Sequence, residues 1–325
     1  MLSRSGVAVV ERMSIASVTV NFNGGELPLK QFGTLLAQTR PLDEIIVVDN
    51  ASTDGSREVL ERQCPSPTIL PMGENLGIGA AFTAGLKYAI EKGHDWIWLF
   101  DSDSQPAPNA LEKLLEAFQR MPEADNVGIL GCLPIHRETG AEYHGLIWRD
   151  RLCEVAANIT QAGDYFADSV VSSGSLVRAD AVKEAGYPRS DFFMDYVDHE
   201  FNLRLRRHGY LIAIIRQSVL SHRMGHPQLV KFRGRSWVRA QEPEWRVYYA
   251  MRNQTVTVWH LLGGFRPRIF LLIDVCKRAG GILLWDPNKL FRLRLLVKGF
   301  RHGFLNRLGK TLPVDCSLTD INDIL

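Results

Sequence analysis

From Ser17 to about Gly131 the chain alternates short apolar runs with stretches in which apolar residues recur every three or four positions. That rhythm of strand and helix in turn builds a largely parallel sheet. The runs predict strands at 17–20, 44–48, 68–70 and 96–100, and the periodic stretches predict helices at 27–38, from a turn at 49–55 to about 62, and at 79–92. The run from Trp96 to Phe100 is apolar at every position, as a strand covered on both faces should be. Beyond 127 the pattern loosens into β-like pieces at 127–130, 146–148 and 169–171 separated by glycines. A strong helix follows at 198–208, with Phe201 and Leu205 on one face and Gly209 at its stop. After Pro227 the chain turns basic and aromatic and then helical. The expected architecture is therefore α/β: a mostly parallel sheet flanked by helices over 14–226, in halves of about 14–131 and 132–226, and a helical region over 227–325.

Charge changes this picture more than composition does. The chain is 46% hydrophobic and 23% charged, ordinary for an enzyme, and its net charge of +2 gives no support to a nucleic-acid binder. The charge is unevenly spread: residues 265–310 hold eleven basic side chains against Asp274 and Asp286, so that segment is +9 and the remainder −7. Its cations interleave with apolar runs and Trp285, a combination suited to an anionic membrane surface. Packing on the core or a homo-oligomer contact is the competing use of the same amphipathy. The five cysteines are scattered without a Cys-x-x-Cys pair, which argues against a disulfide framework or thiolate zinc site and suits a reducing cytosol. The apolar run from Val7 to Val10 is too short for a signal-peptide core, and no run is long enough to span a bilayer. The expected location is cytoplasmic, at the inner face of the cytoplasmic membrane if the basic segment docks there.

Candidate chemistry gathers at expected strand ends, where open α/β sheets bind ligands. Asp49, ending the second strand, can accept hydrogen bonds from a pyrimidine imide or a ribose hydroxyl, although Asp49 and Asp54 could equally build Asx turns. Asp101-Ser102-Asp103 follows the fully apolar strand, and two carboxylates so spaced can hold a hard divalent cation against a diphosphate. Asp195 and Asp198 to Glu200 lead into the helix that ends at His208. A carboxylate there stays ionised beside the helix dipole, as a general base requires, and helix capping explains the same residues. His222, in Ser221-His222-Arg223-Met224-Gly225-His226, can serve as a neutral metal ligand or as an ordinary surface or core histidine.

In their order, Val18-Thr19-Val20-Asn21-Phe22-Asn23, Asp49 to Gly55, Glu74-Asn75-Leu76-Gly77 and Asp101-Ser102-Asp103 resemble the family 2 inverting glycosyltransferases of the GT-A fold. Ser173-Gly174-Ser175, Phe193 to Asp198 with Glu200, and Pro243 through Tyr248-Tyr249 to Arg252-Asn253 resemble the bacterial rhamnosyltransferases of polysaccharide assembly. The resemblance implies a nucleotide-diphosphate-sugar donor held by Asn21, Asn23, Asp49, Asn75, Asp101 and Ser102, and Mg²⁺ or Mn²⁺ at Asp103 and His222. The first acid of the family's catalytic pair falls on Val197, and Asp198 takes the base position, with Ser173, Gly174, Asp195 and Glu200 on the acceptor side or in support. The implied reaction moves L-rhamnose from dTDP-L-rhamnose to a glycan or lipid-linked glycan hydroxyl, with Phe192, Phe193 and Tyr196 as an apolar wall for the sugar methyl. A uridine-diphosphate donor of galactofuranose or a hexosamine is the alternative, and an inert sugar-nucleotide-binding or scaffold protein the reading from another class.

Overall fold

The computed structural model describes residues 13–312, apart from 65–66, 150–151, 156–162, 223–225, 233–234 and 242. Arg223, Met224 and Gly225 of the His222 motif therefore lie outside the described residues, as does the run from Val7 to Val10. The first half runs β1 (Ile15–Asn21), α1 (Leu27–Leu36), β2 (Glu44–Asp49), α2 (Ser56–Gln63), β3 (Thr68–Pro71), α3 (Ile78–Glu91) and β4 (Trp96–Asp101). Next come β5 (Gln105–Pro106), α4 (Ala110–Arg120), β6 (Val127–His136), β7 (Leu146–Arg149), β8 (Leu152–Val155), β9 (Tyr165–Ala167) and β10 (Ser175–Arg178). The remainder is α5 (Ala179–Ala185), α6 (Val197–Arg207), β11 (Leu211–His222), β12 (His226–Phe232), β13 (Arg235–Gln241), α7 (Glu244–Val256), α8 (Phe265–Trp285) and α9 (Lys289–Phe304).

One mixed sheet orders these strands β3-β2-β1-β4-β10-β6-β11-β5, with β9 on β11. The chain builds β1, β2 and β3 to one side and then crosses to lay β4 in parallel on the other edge of β1. That reversal opens a crevice beyond the carboxyl ends of β1, β2 and β4. β10 then enters antiparallel between β4 and β6. Two apolar layers cover the sheet: Val18, Val48, Ile97 and Leu99 face Phe82 and Leu86 of α3, and Trp98, Phe100 and Leu130 face Leu111 and Leu114 of α4. Gly85 is where α3 comes closest to β1, since a Cβ there would stand 2.3 Å from Val18 Cγ1.

Two expectations need correction. Residues 169–171 are not a strand: the strand is Tyr165–Ala167, and Ser169 only bridges Leu146. The region after Pro227 is not helical from its start, because β12 and β13 pair as an antiparallel hairpin before α7. Val230, Phe232, Trp237 and Val238 favour the extended chain there. The helices that follow pack tightly: Gly299 and Gly303 of α9 meet α7 so closely that a Cβ on either would lie 2.5 Å from a backbone carbonyl of Tyr248 or Arg252.

Candidate active site

The crevice is organised by Asn21 and Asp49, paired across β1 and β2. Asn21 is fully buried, and its Nδ2 lies 3.0 Å from Asp49 Oδ1, 3.1 Å from Ser52 Oγ and 2.9 Å from Ser56 Oγ. Asp49 Oδ2 also accepts the Ser52 N–H at 3.2 Å. The 49–56 loop is thus held by its own polar groups, and Asn21 reaches a ligand only through it. Asn23, exposed and left-handed at φ +50°, fixes the loop from above by accepting the Thr53 N–H at 2.8 Å. Asp54 accepts from Gly25 N and from Ser56 N and Oγ. Desolvation raises its pKa, but those donors together outweigh it and hold its carboxyl below the usual range. Asn75 joins the crevice through Asn50, whose Nδ2 donates to Asn75 Oδ1 at 3.0 Å.

Beside them, Val20 of β1 pairs with Asp101, which closes β4. Asp101, Asp103 and His222 bring one ligand atom each within 4.8 Å of one another. His222 reaches them because β11 ends against β5, with Ser221 opposite Gln105. Its Nδ1 lies 3.3 Å from Asp103 Oδ1 and 2.7 Å from Ser104 Oγ, which in turn meets Ser173 Oγ at 2.5 Å. Ser173 Oγ also accepts the Asp101 N–H at 3.1 Å. Burial pushes the Asp101 carboxyl up to about 6; Asp103 and Asp198 add to the rise, while His222 and Arg246 oppose it. Burial disfavours the charged form of His222, yet the Asp103 and Asp101 carboxylates prevail and raise its pKa. Asp101 Oδ1 is buried without a hydrogen-bond partner, and Asp103 Oδ1 is met only by His222 Nδ1 at 3.3 Å. An orphaned carboxylate oxygen is costly unless something electropositive meets it. Two carboxylate oxygens so placed beside an imidazole fit a hard or borderline divalent cation.

The third group lies at the start of α6. Asp195 and Tyr196 are both left-handed, at φ +63° and +62°, an arrangement that side chains with a Cβ adopt at a cost. α7 holds it in place. Asn253 Nδ2 donates to the carbonyls of Met194 and Asp195 at 2.8 and 2.9 Å, and Arg246 forks onto the Asp195 carboxylate through Nε, at 3.1 Å, and Nη2. Glu200 is buried in a fork with Arg204, at 3.0 Å on each oxygen, and Arg204 also ties the carbonyls of Gly186 and Tyr187. Asp198 is half-buried and accepts one hydrogen bond, from the His199 N–H at 2.8 Å, with no ion-pair partner among the described residues. Of three carboxylates at this helix start, two are engaged by arginines.

The residues expected from sequence thus fall into a set around the crevice and a supporting one. Asp49, Asn75, Asp101, Ser102, Asp103, Asp198 and His222 surround the crevice or the Asp101–Asp103–His222 cluster, with Ser102 Oγ close against Gly24. Gly174 supports, left-handed at φ +83° and donating its N–H to Leu99 O at 2.8 Å. Phe192 and Phe193 cannot form a wall for a sugar methyl, being 0% and 1% exposed, with Phe193 against Tyr249; Tyr196 alone of the three keeps exposed surface. Sequence reasoning gave no role to Ser104, Arg137 or Arg246, and named Asn253 only within a motif. Ser104 and His222 stand 118 positions apart, and Arg137 supports the same loop by donating to Asp103 O at 2.7 Å. No local pattern signals such pairings; only the Arg252-Asn253 motif pointed toward one of them.

Comparison with known proteins agrees with this geometry. Residues 18–161 match the model of Glycosyl transferase family 2. The chain is 26% identical over 252 residues to galactofuranosyltransferase GlfT1 of Mycolicibacterium smegmatis, covering 74% of this chain and 81% of that protein. It is 28% identical over 249 residues to the dTDP-rhamnosyl transferase RfbF of Shigella flexneri, covering 74% and 78%. In structure it resembles the mannosyltransferase PcManGT from Pyrobaculum calidifontis, solved with GDP-Man and Mn²⁺, with a TM-score of 0.53 at 16% identity over 96% of this chain and 79% of that one. Strand order, crevice and family match converge: over residues 18–161 the chain resembles the family 2 glycosyltransferases, its fold is GT-A, and its sequence is rhamnosyltransferase-like.

Proposed function

We propose that the chain moves L-rhamnose from dTDP-L-rhamnose to a hydroxyl of a growing, lipid-linked cell-surface glycan, with inversion at the anomeric carbon. The observation that carries the transfer chemistry is the convergence of Asp101, Asp103 and His222 in a crevice whose electrostatics also include Asp198; the rhamnosyl donor rests on similarity to the dTDP-rhamnosyl transferase RfbF. Asp49 accepts from the pyrimidine imide and Asn75 lines the nucleotide, with the ribose toward Asp101 and Ser102. A Mg²⁺ or Mn²⁺ ion held by Asp103 and His222 would neutralise the donor diphosphate and the charge that grows on it as it leaves.

Asp198 accepts the proton of the acceptor hydroxyl as that oxygen attacks the anomeric carbon from the face opposite the diphosphate. The new C–O bond forms as the bond from carbon to the phosphate oxygen breaks, so a single displacement inverts the centre. Asp195 and Glu200 are poor candidates for the base, since each already neutralises an arginine. In this reading 14–226 is the catalytic domain, with the donor in 14–131 and the acceptor in 132–226, and the hairpin and helices from 227 onward support it.

Similarity to the galactofuranosyltransferase favours a second donor, UDP-galactofuranose. A panel of nucleotide sugars, scored by nucleoside diphosphate released in the presence of acceptor, separates the two. Turnover with dTDP-L-rhamnose at least tenfold above UDP-galactofuranose supports the first reading, and the reverse order replaces it. Silence with every donor returns the inert scaffold.

A further inference from the structure

The solvent face of α8 is inverted relative to an ordinary surface helix. Among the described residues, ten of the thirteen exposed large apolar side chains lie between Phe265 and Leu305. On α8 they are Phe265, Ile269, Leu272, Ile273, Leu283 and Leu284. Their spacing of three, four, seven and eleven positions aligns them in one stripe. At 1.5 Å per residue that stripe is about 29 Å long. Inward, α8 buries only Leu271 and Ile282. α9 continues the surface with Leu290, 75% exposed, and Val297, 64% exposed, alternating with the exposed Arg294 and Arg301.

The charges around this face are of one sign. Arg266, Lys277 and Lys289 are exposed beside it. The two acids of the segment are half-buried and paired: Asp274 with Arg278 at 2.7 Å, Asp286 with Arg292 at 3.7 Å. A second copy docking the same face about a two-fold axis would bring these cations together across a dry contact, at a cost in repulsion. An anionic bilayer offers both partners at once, acyl chains for the stripe and phosphates for the cations that reach outward beside it. The helix cannot span instead, because no helix of the described residues is long and apolar enough to cross a membrane.

We propose that α8 and α9 form a docking surface on which the protein lies in the headgroup region of an anionic bilayer. The placement goes beyond sugar transfer and does not depend on the donor. It has a consequence for the crevice, because α9 packs on α7 through Gly299 and Gly303, and α7 carries Arg246 and Asn253 to the start of α6. The candidate site is therefore joined to the docked face by direct packing through α7 and α9.

The test is flotation of the full chain with vesicles of phosphatidylglycerol and phosphatidylethanolamine, against vesicles of phosphatidylcholine alone. The protein is expected to float with the anionic vesicles only, and less as salt rises. Leu272→Glu with Leu284→Glu should cut the bound fraction about tenfold or more, since a charge then replaces each inserted side chain. Arg266→Ala with Lys277→Ala should narrow the preference for anionic vesicles. An unchanged thermal melt and unchanged nucleoside diphosphate release with a water-soluble acceptor establish that each variant is folded. Wild-type protein left at the bottom of the gradient, or variants that float as well as wild type, overturn the proposal. So does a wild-type dimer that Leu272→Glu with Leu284→Glu converts to monomer, which assigns the face to a second copy. Either failure leaves the transferase reading standing, because the water-soluble assay measures that separately.

Discussion

At the scale of single residues, the central distinction is among three carboxylates within six positions. Asp195, Asp198 and Glu200 look alike in sequence, since any of them can cap or begin a helix. Their contacts separate them: Arg246, 51 positions away, takes Asp195, and Arg204 takes Glu200. Replacing Asp198 by Asn keeps the shape and removes the proposed proton acceptor. Asp198→Asn should lower the turnover rate by about a hundredfold to ten-thousandfold, the usual contribution of a general base, with donor affinity by calorimetry within a factor of about three. Turnover near that of wild type would reassign the base. Asp103→Ala should instead abolish the gain in donor affinity that Mn²⁺ brings, and identical affinities with and without the ion in wild type would contradict the cation site. Asp49, Asp101 and Asp103 were legible in the sequence because each follows an unambiguous apolar run. Ser104 was not, because its partners are distant in the chain and meet it only through the pairing of β11 with β5.

At the scale of elements, the loop before α6 depends on α7. Two adjacent left-handed residues are held by Asn253 and Arg246. Asn253→Ala removes both donations to that loop and should cost about 1–3 kcal/mol of stability, the usual penalty for abandoned buried acceptors. It should also reduce the turnover rate more than donor affinity, since the loop sets the position of Asp198 rather than of the nucleotide; a melt and a kinetic comparison check both. Gly77 is a second such point, with φ +88° and space for a Cβ only 2.1 Å from Phe193 O. Gly77→Ala should destabilise the fold by about 2–4 kcal/mol, the strain of the conformation added to overpacking, measured by denaturant unfolding. The first four strands were legible because parallel buried strands are continuous apolar runs. The β12–β13 hairpin was not, because a basic and aromatic stretch carries no such run and its pairing is settled by the partner strand.

At the scale of the whole molecule, the net charge of +2 divides into two structural regions. The carboxylates proposed to hold a cation and to act as base lie at strand ends and the start of α6, and the cations gather on α8 and α9 around an apolar face. The GT-A fold places the crevice where the strand order reverses; Asn253 of α7 holds the loop before α6, and Lys310, beyond α9, donates from Nζ to Asn75 O at 3.1 Å. The most direct measurement of the central claim is transfer by the purified chain from dTDP-L-rhamnose to a defined acceptor glycan, with the product identified by mass spectrometry in metal-stripped and Mn²⁺-supplemented buffer. Rhamnosylated product that requires the added ion, and that Asp198→Asn forms at least about a hundredfold more slowly, is the predicted result. Product formed equally well without the ion, or by Asp198→Asn at the wild-type rate, would contradict it.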